Sequence, residues 1–370
     1  MMKADPIGIY VHIPFCVKKC AYCDFCSFPY SDVSWREAYI KRLCKEISEY
    51  KGREIEVNSI FFGGGTPSLL SSDEFCKITD SIKNSFWVSS DTEFTIEANP
   101  KTLTEKNLLS YMECGVNRIS IGLQSIHRNE LKKLGRMHSC SDFWDSYTLA
   151  RRVGIRNINI DLMYGIPDQT YENFSKTLDT VKELSPEHIS VYGLILEEGT
   201  PLYKSRKSLF LPNEDEECEM YYLASKKLSL GGYSHYEISN YAKPTYECRH
   251  NLKYWHNEEY IGFGISAHSY YSGKRFSNSD NISAYLDEKC EKYISEDADA
   301  EYEYVMLRLR LSEGFSLSDY CRRFGNNFLH GRESYIKKLS DLGYLTLCGD
   351  RLSLTEKGFY VSNSILCELI

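Results

Sequence analysis

Short apolar, β-rich runs recur through the first half of the chain. They are "GIYVHI" from Gly8, "SIFFGGG" from Ser59, "EFTIEA" from Glu93, "RISIGL" from Arg118, "NINIDLMYG" from Asn157 and "HISVYGLIL" from His188. Between them, Trp35 to Tyr50, Ser72 to Phe86, Glu105 to Cys114, Asp142 to Val153 and Tyr171 to Leu184 carry apolar residues at helical spacing with charged faces. Strand and helix alternate six times within about 200 residues. That rhythm predicts an α/β fold of parallel strands covered by helices, as a barrel or as an open doubly wound sheet. Several runs end in polar or glycine residues: Cys16 onwards, Gly63 to Thr66, Glu97, Gln124 and Asp161. In both architectures functional groups gather at the carboxyl ends of the strands.

The pattern changes beyond Pro212. An acidic helical stretch, "NEDEECEMYYLASKKLSLGGY", leads into an aromatic-rich segment through Tyr271, and an extension is expected over 213–299. The last seventy residues, 300–370, predict helices, two short strands around Gly349-Asp350 and a closing helix, similar to a winged helix. Acidic and basic residues balance there, which suits a protein-packing module better than a DNA reader.

Composition narrows the possibilities. The 370 residues are 42% apolar and 26% charged with a net charge of -8, an ordinary globular balance that argues against general nucleic-acid binding. No run approaches the roughly 20 apolar residues of a membrane span, and the start reads as no export signal, so a cytoplasmic protein is expected. The fourteen cysteines are then expected as thiols rather than disulfides. "GFGISA" from Gly262 follows "HNEEYI" rather than a clear buried strand, so no dinucleotide site is expected, and no GxSxG elbow or Walker loop appears.

The distinctive chemistry is "CVKKCAYC", with Cys16, Cys20 and Cys23 on one short loop. Structural zinc usually takes four ligands from paired motifs, and no second pair lies nearby. Three thiolates instead suit a [4Fe-4S] cubane with one iron left open. Cys26, three residues on, reads as a small buried hydrophobe.

With an aromatic between the last two cysteines and the "GGGTP" turn after the second run, the sequence resembles the radical S-adenosylmethionine (SAM) superfamily. The resemblance implies a partial (β/α)6 TIM-type barrel over 1–212 and SAM bound to the open iron. "GIYVHIPFC", "FFGGGTPSLL", "TIEANP", "RISIGLQS", "NIDLMYGIPDQT" and "HISVYGLILEEGTPL" are together similar to the anaerobic coproporphyrinogen III oxidase family. That family has an oxidase branch, which decarboxylates propionates to vinyls, and a haem-chaperone branch. The oxidase pattern CxxxCxxCxC meets Phe25 at its last cysteine, whereas "HNLKYW", His250 to Trp255, matches the HNxxYW signature of the chaperones. The chaperone branch is therefore expected, with the oxidase or another haem-modifying radical enzyme as the alternative. Whether the chain is an enzyme is left open.

Residue by residue, the resemblance implies that Tyr10, Tyr22, Gly64, Gly65, Thr66, Glu97, Gln124, Arg136 and Asp161 surround SAM. It also implies that His250 ligates haem iron, with Asn251, Tyr254 and Trp255 beside it; imidazole is a common axial ligand. The implied partners are haem, haem-acceptor proteins such as membrane-associated respiratory enzymes, and an electron donor.

Overall fold

The computed structural model describes residues 5–31, 33–287, 292–294 and 299–370. Six strands alternate with helices as the pattern predicts: β1 (Ile7–Ile13), β4 (Glu56–Gly64), β5 (Trp87–Ala98), β6 (Arg118–Gln124), β7 (Asn157–Tyr164) and β8 (His188–Gly193). The short β2 (Phe15–Cys16) and β3 (Phe28–Pro29) pair with each other on either side of the cysteine loop. The six long strands are parallel and lie in sequence order, forming the arc of a partial TIM-type barrel.

Each strand has one apolar and one mixed face, because successive side chains point to opposite sides. On β1, Ile7, Ile9, Val11 and Ile13 are buried in the main core, which also takes apolar residues of the helices. Gly8, Tyr10 and His12 lie on the other face, in register with Ser59, Phe61 and Gly63 of β4. The covering helices are α1 (Val33–Ser48), α2 (Ser72–Ser85), α3 (Glu105–Glu113), the short α4 (Arg128–Lys133), α5 (Cys140–Arg152) and α6 (Tyr171–Leu184). Capping boxes start three of them, Ser71/Glu74, Thr104/Asn107 and Ser139/Asp142, which satisfies amide donors that a helix start leaves free.

The extension continues the same sheet. After α7 (Pro201–Lys204), α8 (Glu214–Leu230) packs on α6, with four acidic residues in its first turn where the helix dipole favours them. Then β9 (Ser234–Glu237) and β10 (Asn240–Ala242) lengthen one edge antiparallel. After α9 (Arg249–Trp255), β11 (Tyr260–Phe263) adds parallel to β1, followed outward by β12 (His268–Tyr271), β13 (Lys274–Ser277) and, after α10 (Ile282–Leu286), β14 (Tyr293–Ile294). The "GFGISA" segment thus begins inside a buried strand, with Ile261 and Phe263 in the core. A side chain at Gly262 would meet the His268 carbonyl at 2.2 Å, so close packing requires that glycine.

The C-terminal unit has its own core around Val305, Phe315, Tyr320, Leu352 and Phe359. Its helices α11 (Ala300–Arg308), α12 (Leu317–Phe324), α13 (Glu333–Asp341), α14 (Glu356–Tyr360) and α15 (Ser362–Leu369) surround a small sheet of β15 (Phe315–Ser316), β17 (Arg351–Leu354) and β16 (Leu345–Cys348), a winged-helix-like arrangement. Among the described residues no helix is long and apolar enough to cross a membrane.

The glycine turn after β4 positions the cysteine loop. Gly65 donates its amide to Ile13 O at 2.8 Å, and a Cβ there would stand 2.8–2.9 Å from Phe15 O, Ile13 O and Phe15 N. Gly64 has φ +108, and a side chain there would strike the His12 ring at 2.6 Å. Gly65→Ala is therefore expected to lower stability by about 1–3 kcal/mol and to displace the cysteine loop. Thermal unfolding and iron content after anaerobic reconstitution check this; wild-type stability with full iron incorporation would refute the packing argument.

Candidate functional site at the barrel mouth

The loop between β2 and β3 is held through its backbone, leaving its thiols out of any disulfide. Phe28 N donates to Pro14 O (2.6 Å), Tyr30 N to Cys16 O (2.9 Å), Ala21 N to Leu134 O (2.9 Å) and Leu202 N to Ala21 O (2.8 Å). His12 adds a side-chain tether, its Nε2 lying 2.8 Å from Cys26 O. Cys16, Cys20 and Cys23 are free thiols that line one cavity of about 360 Å3. Among the described residues no three His, Cys, Asp or Glu side chains converge so as to hold one metal ion. Three thiols from one loop on one cavity form the donor set of an iron-sulfur cage rather than of a four-ligand structural zinc.

Burial raises the Cys16 thiol pKa, opposed by the hydroxyls of Thr66 and Ser27, and pushes Cys23 up to about 11. The Thr66 hydroxyl donates to Cys16 Sγ at 3.6 Å, and an Arg136 guanidinium N–H donates to Cys20 Sγ at 3.5 Å. Thiolates here are partly desolvated, and a cation bound among them would offset that cost.

Tyr22, Gly64, Gly65, Thr66, Glu97, Gln124, Arg136 and Asp161 all line this cavity. Glu97 and Gln124 stand at strand ends, whereas Asp161, expected at one, lies inside β7, Arg136 follows α4 and Tyr22 belongs to the cysteine loop. Gln124 ends β6 with φ +68, a strained conformation for a residue other than glycine and one that often marks functional positions. Arg136 reaches Gly122 O at 2.7 Å, and a Cβ at Gly122 would stand 2.4 Å from its guanidinium. Gly64 N donates to Glu97 Oε2 (3.2 Å); Asp161 accepts from Ser120 (3.0 Å) and Asn159 (2.8 Å). Burial, then the neighbouring Asp161 carboxylate, pushes Glu97 up to about 8; burial also raises Asp161, against hydrogen bonds from Ser120, Asn159 and Ser190. Two half-buried carboxyls lining one cavity suit a cationic ligand.

Some expected residues stand elsewhere. Tyr10 lies one layer deeper, stacked on Phe61, with its hydroxyl 3.1 Å from His12 Nδ1. Cys26 faces away, its thiol near Asp280 O. His250, Asn251, Tyr254 and Trp255 form α9, which closes the opposite, N-terminal end of the strands. Glu93 caps this helix by accepting from the amides of Arg249 and His250, both at 3.0 Å. His250 is 1% exposed, with Nδ1 3.0 Å from Ser59 Oγ and Nε2 2.8 Å from Tyr254 Oη. Its ring stacks on Phe61, and burial holds its pKa down to about 3. Both ring nitrogens are thus engaged, so the expected iron bond at His250 is not available in this conformation.

Other residues at the mouth carried a weaker sequence signal. Asn99, in "EANP", donates to Thr66 Oγ1 at 2.8 Å; Tyr192 and Met163 complete the wall. Phe25 also lines the cavity, and is 61% exposed.

Comparison with known proteins agrees with this architecture. Residues 10–181 match the radical SAM superfamily and residues 296–361 the HemN C-terminal domain. The chain is 38% identical to the heme chaperone HemW of Buchnera aphidicola, covering 99% of both proteins. It is 36% identical to HemW of Bacillus subtilis, over 96% of this chain and 97% of the relative. In fold it is similar to the coproporphyrinogen III oxidase HemN of Escherichia coli, with TM-score 0.84 and 23% identity over 98% of this chain and 90% of that one. Near-complete coverage at such identity, on a barrel whose mouth gathers three cysteines, means that the chain belongs to the HemW heme chaperone family of the radical SAM superfamily.

Proposed function

We propose that this protein is a haem chaperone that holds a [4Fe-4S] cluster at Cys16, Cys20 and Cys23, binds SAM beside it, and carries haem to an acceptor protein. The observation that carries this reading is the full-length likeness to HemW proteins, beside a likeness to the oxidase that is one of fold. Phe25 supports it, because the oxidase pattern has a cysteine there.

When bound, the cluster supplies an open iron for the amino-acid end of SAM and an electron to its sulfonium. The chain's own residues bind and orient. Arg136 and Thr66 would steady two thiolates, while the bare turn at Gly64 and Gly65 would let the amino-acid end of SAM approach the backbone. Glu97 would accept from the SAM amino group, and with Asp161 it would complement the sulfonium charge. Tyr22 and Gln124 shape the remaining wall. The acceptor is read as a membrane-associated respiratory haem enzyme, and an electron donor is required wherever SAM is cleaved.

In the direct test, anaerobically reconstituted protein receives haemin and then an apo haem protein, and separately receives coproporphyrinogen III with SAM and dithionite. Stoichiometric haem binding and transfer are expected, with no vinyl product; turnover to protoporphyrinogen would overturn the chaperone reading.

Glu97 gives a pH signature. Its raised pKa keeps it protonated below about 8, so binding a cationic ligand must expel that proton. SAM affinity should therefore rise with pH from 6 to 7.5, by up to about tenfold per unit. Glu97→Gln should bind more weakly and with a flatter profile. Equilibrium binding at each pH measures both, and a flat wild-type profile would remove Glu97 from the ammonium site.

A further inference from the structure

A second cavity, of about 520 Å3, opens beside the cluster cavity and shares Lys18, Cys20, Thr66, Asn99 and Arg136 with it. Its volume lies within the range of about 300–1,000 Å3 found for small-molecule sites. It differs from its neighbour in having no carboxylate, for the cluster cavity sets Glu97 and Asp161 beside Lys18, Lys19 and Arg136. Lys18, Lys101, Lys106 and Arg136 face it and no Asp or Glu does, although the chain as a whole carries a net charge of -8. Lys101 pairs with Asp142 at 3.0 Å; Lys18 and Lys106 make no ion pair among the described residues. Val17, Leu69, Pro100 and Met137 add apolar wall, with Val17 60% and Met137 61% exposed at the rim.

Only the cluster cavity offers carboxylates to a cation, while the side chamber offers cationic groups alone. SAM carries a sulfonium and an ammonium against one carboxylate, a net cation that suits Glu97 and Asp161. It gains nothing from a chamber of lysines. A ligand for the side chamber must be anionic and must also cover apolar wall. Haem has both properties, as a flat apolar macrocycle with two propionates on one edge. Cationic groups at the rim can pair with the propionates while the ring lies against Leu69, Pro100 and Met137. A haem seated there would lie beside the cluster rather than at the distant His250.

We propose that this side chamber is the haem site, with Lys18 and Lys106 recognising the propionates; this rests on the haem-chaperone reading above. The test titrates haemin into anaerobically reconstituted protein at matched iron content, comparing wild type with Lys18→Glu/Lys106→Glu. Lys106→Glu, on α3 and outside the cysteine loop, is measured alone as a second variant. Affinity for haemin should fall at least about tenfold in the double variant and by a smaller factor in Lys106→Glu. Haemin dimethyl ester, whose propionates are uncharged, should bind wild type and variants alike. Wild-type protein that binds haemin while both variants match it within experimental error would overturn this site alone. Wild-type protein that binds no haemin would overturn it together with the chaperone reading.

Discussion

Everything at the mouth depends on how a cysteine-rich loop is held without using its cysteines. Hydrogen bonds from Ala21, Phe28, Tyr30 and Leu202, with the His12 tether at Cys26 O, fix the loop through its main chain. The turn at Gly64 and Gly65 admits that main chain because no Cβ stands in the way. Cys16, Cys20 and Cys23 can then face a common cavity as free thiols. The glycines the resemblance assigns to SAM thus have a prior structural duty, and the two roles are compatible because both need bare backbone.

Below the mouth the barrel interior is polar. Asn159 links Asp161 at the cavity to His188, and His188 to Tyr236, whose hydroxyl accepts from Cys248 N at the start of α9. Such a network stabilises only if its members are satisfied, and each of these side chains has a partner. It gives the interior one arrangement and ties the cavity to the HNLKYW helix. His250 and Tyr254, four residues apart on one helical face, bond to each other within that helix. The motif therefore plugs the barrel floor in this conformation, whatever else it does.

Much of this was legible in the chain. Six apolar runs mapped onto six parallel strands, and Thr66, Glu97 and Gln124, at or just past strand ends, converge with Asp161 from within β7. Local pattern could not reveal β11, because four residues containing a glycine carry little periodicity and their partner β1 lies some 250 positions away. Nor could it place α9: an aromatic stretch with one histidine reads alike whether it faces a ligand or a core, and only the bonds to Ser59 and Glu93 distinguish the two. The side chamber was hidden for a related reason, since its lysines come from separate segments of an acidic chain.

The central claim is a cage of iron and sulfide on three thiols with one iron open to SAM. Electron paramagnetic resonance of the dithionite-reduced, anaerobically reconstituted protein, recorded with and without SAM beside iron and sulfide assays, tests it most directly. The account predicts about four irons and four sulfides per chain and a spectrum that changes when SAM is added. One zinc per chain with no sulfide, or a cluster spectrum indifferent to SAM, would contradict it.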